Sequence, residues 1–419
     1  MSDSVVRITH QSYGSRIAGS CKALCFVPIF LIAGILVLSW NEGNLVTQRK
    51  ALDEGLKSVV DIPSTESVNA ENEGSLIHFV GTAKPDSQVT DPIFGVAPPN
   101  ALLLKRTVEM YQWTESSHSE TRKNTGGSTD TVTTYSYSKE WKDRAVDSGS
   151  FEESSGHQNP SGGMLFPSDT MAANPIHVGA FELSSAVVQK MYWYQPLQSG
   201  ISVDTIQDNS TRNQATVFGS RFYFGDGSSG SPQIGDTRVS FEQVPSQTIS
   251  VVAKQIGESL SSYTAKSGGS VLLVEAGPHD AVEMFKHANE ALTIQTWLIR
   301  LGGFLLIYFA FEIAMKPLSV FADVLPFLGD LVEAGTSVIS LLLAAVLSTV
   351  VVAISWLYYR PVLSLFLFGV VGGLLFVAKK KLAEKKGMHA IPVVEAEAIE
   401  MPDAPYKDSI PSIPISSMV

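Results

Sequence analysis

The chain has 419 residues, of which 44% are hydrophobic, enough for both a membrane bundle and a soluble core. Its net charge of −11 argues against a nucleic-acid partner, whose phosphates would demand a basic surface. The only cysteines, Cys21 and Cys25, sit together at the mouth of the first apolar run, so the bulk of the chain has no possible disulfide.

Residues 1–22 form a short N-terminal segment carrying Arg7, Arg16 and Lys22, and residues 23–40 are an uncharged run of nearly spanning length. No small-residue cleavage site follows Trp40, so the run is expected to be a retained anchor, not a signal peptide. The C-x3-C pair at its mouth is most simply helix packing; S-acylation at the cytosolic membrane face is the sharper alternative.

Residues 41–293 are polar and mixed, and are expected to fold as one β-rich domain with a helix at each end, over 47–59 and 280–292. Runs rich in β-branched and aromatic residues at 76–80, 102–113, 131–141, 221–224, 237–244, 248–255 and 271–275 predict strands, each bounded by turn residues. The Ser/Gly/Thr-rich stretch 115–130 is expected to be a loop or hairpin tip.

A second span is predicted over 294–315, although it carries Arg300 and Glu312 near its opposite ends, where long side chains can snorkel. Residues 316–335 have helical apolar spacing with Asp323 and Asp330 on the other face and Pro326 as a kink. An acidic face is repelled by anionic lipid, so contact with protein is favoured. Uncharged runs at 336–359 and 361–378 predict two further spans joined by a tight turn. Residues 379–419 open with Lys379, Lys380, Lys381, Lys385 and Lys386 and continue as an acidic, Pro-rich tail without periodicity, expected to be disordered. Its final Ser417-Met418-Val419 fits a loose PDZ-ligand pattern.

Basic residues are retained on the cytosolic side, so four spans with both termini cytosolic satisfy both clusters. Arg360, in the turn before Pro361, falls on the other side and is outvoted. The expected fold class is therefore a multi-span α-helical membrane protein with a large extracytosolic β-rich α+β domain.

Chemistry finds little support. His279, Glu283 and His287 recur every four residues and could share a helix face as zinc ligands do, but an ordinary solvated face explains them. The loop 225–230 lacks the Gly-Lys-Ser/Thr ending of a phosphate cradle, and no G-x-S-x-G elbow occurs. No catalytic, cofactor-binding or metal residue is assigned, and no cofactor is expected. Helix packing carries more signal. Gly369 and Gly373 form G-x-x-x-G in the last span, Ala344 and Ser348 a small-x3-small face in the third, and Gly302-Gly303 a further small pair. Packing within the hairpin of the last two spans and self-association both fit.

The chain also resembles the transmembrane protein 43 (LUMA) family. The matching stretches run in order: Asn41-Glu42-Gly43; Glu71-Asn72-Glu73-Gly74; Val108-Glu109-Met110-Tyr111-Gln112-Trp113; Tyr135-Ser136-Tyr137 with Trp141; and Gly156-His157 with Asn159-Pro160-Ser161. Then follow Gly235-Asp236 with Arg238-Val239-Ser240-Phe241, Lys266-Ser267-Gly268, Trp297 with Arg300, and Trp356-Leu357-Tyr358-Tyr359-Arg360-Pro361. The resemblance implies a four-span protein of the endoplasmic reticulum and inner nuclear membrane, with its large domain in the lumen. It further implies a scaffold that organises membrane-protein complexes and associates with itself, lamins and emerin. Lamins and emerin apply only to a eukaryotic nuclear envelope; in a bacterium the domain would be periplasmic. The chain departs from the family in its Ser/Gly stretch at 115–130 and its acidic tail after Met388.

Two other functions stay open: an oligomeric channel or transporter subunit, pointed to by Arg300 and Glu312, and a lipid-handling protein with a site in the β-rich domain.

Overall fold

The structure is a computed structural model that describes residues 3–361, without the side chains of Pro326 and Leu328. The expected fourth span at 361–378, with Gly369 and Gly373, and the tail at 379–419 lie outside the described residues, Pro361 excepted.

The chain begins with β1 (Ser4–Gln11) and α1 (Tyr13–Ala23), whose N-cap Ser12 side chain accepts from Ser15 N. Helix α2 (Val27–Ser58) follows after a single 3-10 turn. The domain then supplies β2 (Val60–Asp61), β3 (Leu76–Pro85), β4 (Ala101–Lys123), β5 (Thr129–Lys142), β6 (Asp169–Ala172), β7 (Ile176–Val178) and β8 (Phe181–Glu182). Beyond the short α3 (Ser185–Val188) come β9 (Gln195–Pro196), α4 (Asn209–Gln214), β10 (Ala215–Phe218), β11 (Arg221–Phe224), β12 (Thr237–Pro245) and β13 (Thr248–Ile256). Small strands β14 (Ser259–Ser261), β15 (Tyr263–Thr264), β16 (Ser270–Val271) and β17 (Leu273–Ala276) lead to α5 (Ala281–Ala322) and α6 (Pro326–Tyr359).

One sheet runs β1-β5-β4-β12-β11-β10, with β6 and β9 on its margins, and a second runs β17-β13-β14-β8-β7-β3-β2, with β13 also on β3. Their facing sides enclose the main core, where Phe94 stacks on Phe222 and Phe79 on Phe181, and where Val108, Val239, Phe241 and Val251 are buried. The alternation in β12, buried at Thr237, Val239 and Phe241, is that of a strand with one core-facing side. Inside this core Arg106 pairs with Asp91, both essentially fully buried; Asp91 also accepts from Ile93 N and Phe94 N, and Arg106 donates to Pro167 O.

Among the described residues three helical segments are long and apolar enough to cross a membrane, within 13–58, 281–322 and 329–359. The helices expected at 47–59 and 280–292 are not separate elements: α2 and α5 run unbroken from the apolar segments into the domain. There Leu45, Leu52, Met284 and Phe285 pack with Leu76 and Val252 of the second sheet. Asn41-Glu42-Gly43 resembles a loop in sequence, but its polar groups are met by neighbouring helices, so the helix need not stop. At the other end Leu38, Ile307, Ala344 and Val351 form a separate apolar cluster between α2, α5 and α6. The expected amphipathic segment is an elbow: α5 ends at Ala322, and Pro326 opens α6 at N1, where its missing N–H costs nothing.

The stretch 115–130 is a hairpin end, one of the two expected forms, but its turn is much shorter than the stretch. It is strand as far as Lys123, and only residues 124–128 turn. Ser and Thr side chains bond across the two strands, Ser119 to Thr133 at 2.9 Å and Thr121 to Thr131 at 3.0 Å, so a polar sequence still makes a regular ladder. The free edge of β5 then takes up β1 over its whole length, Ser4 opposite Ser136 and Gln11 opposite Thr129.

This three-stranded arm reaches the elbow between α5 and α6. Gly126 N donates to Val324 O, Arg16 to Gly127 O and Asp323, and Lys123 contacts Asp323, Asp330 and Glu333. Contact of the acidic elbow face with protein is thus what the structure contains. Residues 1–22, however, are not a segment apart from the domain. The strand β1 turns back along the arm, so Asp3 meets His157 and Arg7 meets Glu152. The expectation placed 1–22 and 41–293 on opposite sides of a membrane; what is found is β1 docked along the domain's own hairpin.

Candidate functional site

Where the helices leave the apolar cluster for the domain, a polar junction joins α2, α5 and α6. Glu42 is fully buried. Its two carboxylate oxygens accept from Arg300 Nε at 2.7 Å and from a terminal guanidinium nitrogen at 2.9 Å, and Trp356 Nε1 donates to it at 2.8 Å. Asn41 Nδ2 donates to Thr296 O at 3.2 Å. Gly43 is required by the approach of Tyr359: a Cβ there would lie 2.7 Å from the ring. A carboxylate out of water is tolerated only with such partners, so the junction fixes the rotation of all three helices.

Two cavities share this junction. One, about 180 Å³, is lined by Arg49, Arg300 and Arg360 with Trp297 and Trp356. The other, about 500 Å³, is a mostly apolar groove lined by Leu38, Leu301, Phe304 and Val352, and it shares Trp297, Arg300 and Trp356 with the first. The guanidiniums of Arg300 and Arg360 lie over the Trp297 and Trp356 rings, 4.8 and 5.9 Å from the centroids. Trp40, Trp297 and Tyr358 are exposed close by in the chain, the aromatic signature of a membrane–water interface.

At the far end the elbow cluster buries Asp323 against Arg16. Burial works against the charge on Lys123, but Asp330, Glu333 and Asp323 outweigh it and hold its ammonium well above the usual lysine range. In the domain, His157 stacks on Tyr137 with centroids 3.9 Å apart and bonds Asp3. Burial opposes its charged form, while the Asp3 carboxylate and the Glu153 carbonyl favour it more, so its pKa is raised.

Arg300 and Glu312 both lie in α5 but do not pair: Arg300 takes Glu42, and Glu312 lies one helical turn from Tyr308. Ala344 is fully buried against Leu38 and Ile307, and Ser348 lines the groove, so both face neighbouring helices of the same chain. Of the Gly302-Gly303 pair only Gly303 makes a close approach, to Leu38. Cys21 and Cys25 are exposed free thiols. His279 bonds Glu283 and His287 bonds Glu275, and no group of three His, Cys, Asp or Glu is placed to hold a metal among the described residues. The 225–230 loop is a turn closed by Asp236, which accepts from Tyr223 and from Gln233 N. A cavity of about 560 Å³ in the domain is lined by Leu103, Ile176, Val188, Met191, Asn174 and Tyr194.

Spacing in sequence offers no route to the partners of Arg300, since Glu42 lies 258 positions earlier. A usable signal was Glu42 itself, a carboxylate two residues beyond the uncharged run 23–40.

These features define a class: a membrane protein whose apolar helices continue as rigid struts into a large β-rich domain. The family model for Transmembrane protein 43 matches residues 110–361. The chain belongs to the transmembrane protein 43 family. Transmembrane protein 43 of Homo sapiens is 32% identical over 368 residues, covering 85% of this chain and 89% of that protein. The Rattus norvegicus protein is 31% identical over 367 residues, with the same coverage. The Drosophila melanogaster homolog is 31% identical over 346 residues, covering 81% of this chain and 89% of its own length. No solved structure matches.

Proposed function

We propose that the chain is a non-enzymatic membrane scaffold that self-associates and organises other membrane proteins. The observation that carries this is the polar arm. At 3.4 Å per residue the 23 residues of β4 extend about 75 Å, and at 1.5 Å per residue the 34 of α6 extend about 50 Å, so the arm runs beside the helices to the elbow. Its outer part, Ser116 to Arg122, is polar and exposed. Hydrocarbon does not tolerate an open, polar sheet edge; such backbone at membrane depth must face protein or water. A lone chain in a bilayer leaves the arm unshielded, whereas copies turning their arms toward one another shield it. The helical struts and the Glu42–Arg300 junction would hold the domain at a fixed attitude to the membrane, as a scaffold needs.

In a eukaryotic host this scaffold is proposed for the endoplasmic reticulum and inner nuclear membrane, with emerin and lamins among its partners; in a bacterium it would occupy the inner membrane. Mass measurement of the full chain in nanodiscs tests self-association, with an oligomer expected. A monomer overturns it.

A second reading, an oligomeric channel subunit, is favoured by the same arm, because facing polar arms would enclose water. Ion current across reconstituted bilayers that changes in Glu120→Gln, with the oligomer intact, would establish it over the scaffold.

A further inference from the structure

Three arginines, one from each of α2, α5 and the end of α6, meet around a single small cavity. Among the described residues Glu42 is the one carboxylate at the junction, and its oxygens are taken by Arg300 and Trp356. Among the described residues neither Arg49 nor Arg360 has a carboxylate within ion-pairing distance; Arg49 donates only to the Thr293 hydroxyl, at 3.2 Å. Three guanidiniums against one carboxylate leave two positive charges uncompensated in a half-buried site. Arg300 uses Nε and one terminal nitrogen on Glu42, which leaves its other terminal nitrogen with two donors to give. Guanidinium forks match phosphate oxygens in geometry as well as charge.

The surroundings identify what kind of phosphate fits. The cavity lies at the level of the exposed aromatic residues Trp40, Trp297 and Tyr358, where lipid headgroups sit. It opens along Trp297, Arg300 and Trp356 into the 500 Å³ groove, whose lining is mostly apolar and runs toward the centre of the helices. A polar cradle joined to an apolar slot is complementary to one amphiphile.

We propose that this cleft binds one glycerophospholipid, with its phosphate on Arg49, Arg300 and Arg360 and one acyl chain along Leu38, Leu301, Phe304 and Val352. The lipid then bridges all three helices at the junction and acts as a structural component of the bundle. The site is independent of how copies of the chain assemble.

The test uses the full chain purified in mild detergent, with bound phospholipid per chain counted by phosphorus assay and native mass spectrometry. One lipid retained per chain is expected. Arg49→Gln with Arg360→Gln should lower its affinity by at least about tenfold, the scale of charge-assisted bonds, and the two Lys substitutions should fall between. Retention unchanged in the Gln variant overturns the proposal. Val352→Trp fills the groove without touching the cradle and should expel the lipid. If inorganic phosphate displaces the lipid from the wild type as well as a short-chain phosphatidylglycerol does, the site is an anion site only and the proposal fails. Should the Gln variant not fold, thermal melting of the wild type decides. Dihexanoyl phosphatidylglycerol must raise the melting temperature and dihexanoylglycerol must not; equal effects of the two overturn the proposal.

Discussion

Arg300 meets both carboxylate oxygens of Glu42, at 2.7 and 2.9 Å, across 258 positions of chain. The pair ties the first strut to the second where each passes from lipid to domain. Removing one partner leaves the other charge buried alone, so Arg300→Leu is expected to destabilise the bundle by about 3–5 kcal/mol. The double variant Glu42→Leu with Arg300→Leu should recover most of that loss, because no stranded charge remains. Melting curves in detergent for the four members of this cycle measure the coupling. Additive losses would show that the two residues act separately.

The returning β1 strand makes a prediction about sidedness. Asp3 lies against His157 and Arg7 against Glu152, so the first residues are expected to share a compartment with the domain. Single cysteines at Ser4 and Ser150, in a Cys21→Ser/Cys25→Ser background, should label from the same side of sealed vesicles. Labelling from opposite sides would mean that β1 is not docked in the membrane, and the argument from a shielded arm would fall with it.

His157 makes that docking depend on pH. Its raised pKa means the folded state binds the proton more tightly than the unfolded chain does. The contribution is complete below the ordinary histidine value of about 6.5 and is lost as pH climbs through the raised value. Hydrogen exchange over residues 4–11, corrected for intrinsic rates, should therefore quicken as pH rises above about 6.5. His157→Gln should flatten the profile. A wild-type profile already flat would exclude the proton from β1 docking.

The strands of the domain core were legible because their alternation and turn residues are local. Residues 221–224 and 237–244 match β11 and β12 almost residue for residue. The outer part of β4 was not, although its partner was expected as a strand over 131–141. Ser119 and Thr121 look like loop residues until they are seen to bond Thr133 and Thr131 opposite, and that register is not written in either strand alone. The continuity of the struts was hidden by Asn41-Glu42-Gly43, whose polar groups are satisfied by Thr296, Arg300 and Trp356. The three apolar spans of the described residues were plain from composition. Arg300 and Ala344 stood out as unusual residues, but whether each served this chain or another copy depended on packing.

The small residues of the described helices give a final prediction with its own control. Neighbouring glycines in α5 differ sharply: a Cβ on Gly303 would lie 2.7 Å from Leu38, whereas one on Gly302 meets nothing within 4 Å among the described residues. Across the interface, a Cβ on Gly34 would lie 2.6 Å from Ile307 and 3.0 Å from the Gly303 carbonyl. Gly34 and Gly303 therefore set the separation of α2 and α5, the close approach on which helix association in lipid depends. Gly303→Ala or Gly34→Ala should cost about 1–3 kcal/mol through forced shifts of packed side chains. Gly302→Ala should instead be neutral or stabilising by up to about 1 kcal/mol, since alanine is the better helix former. Thermal melting of the three single variants, with light scattering to follow assembly, separates the effects. Gly302→Ala and Gly303→Ala behaving alike would show that the α2–α5 contact does not set the stability of the bundle.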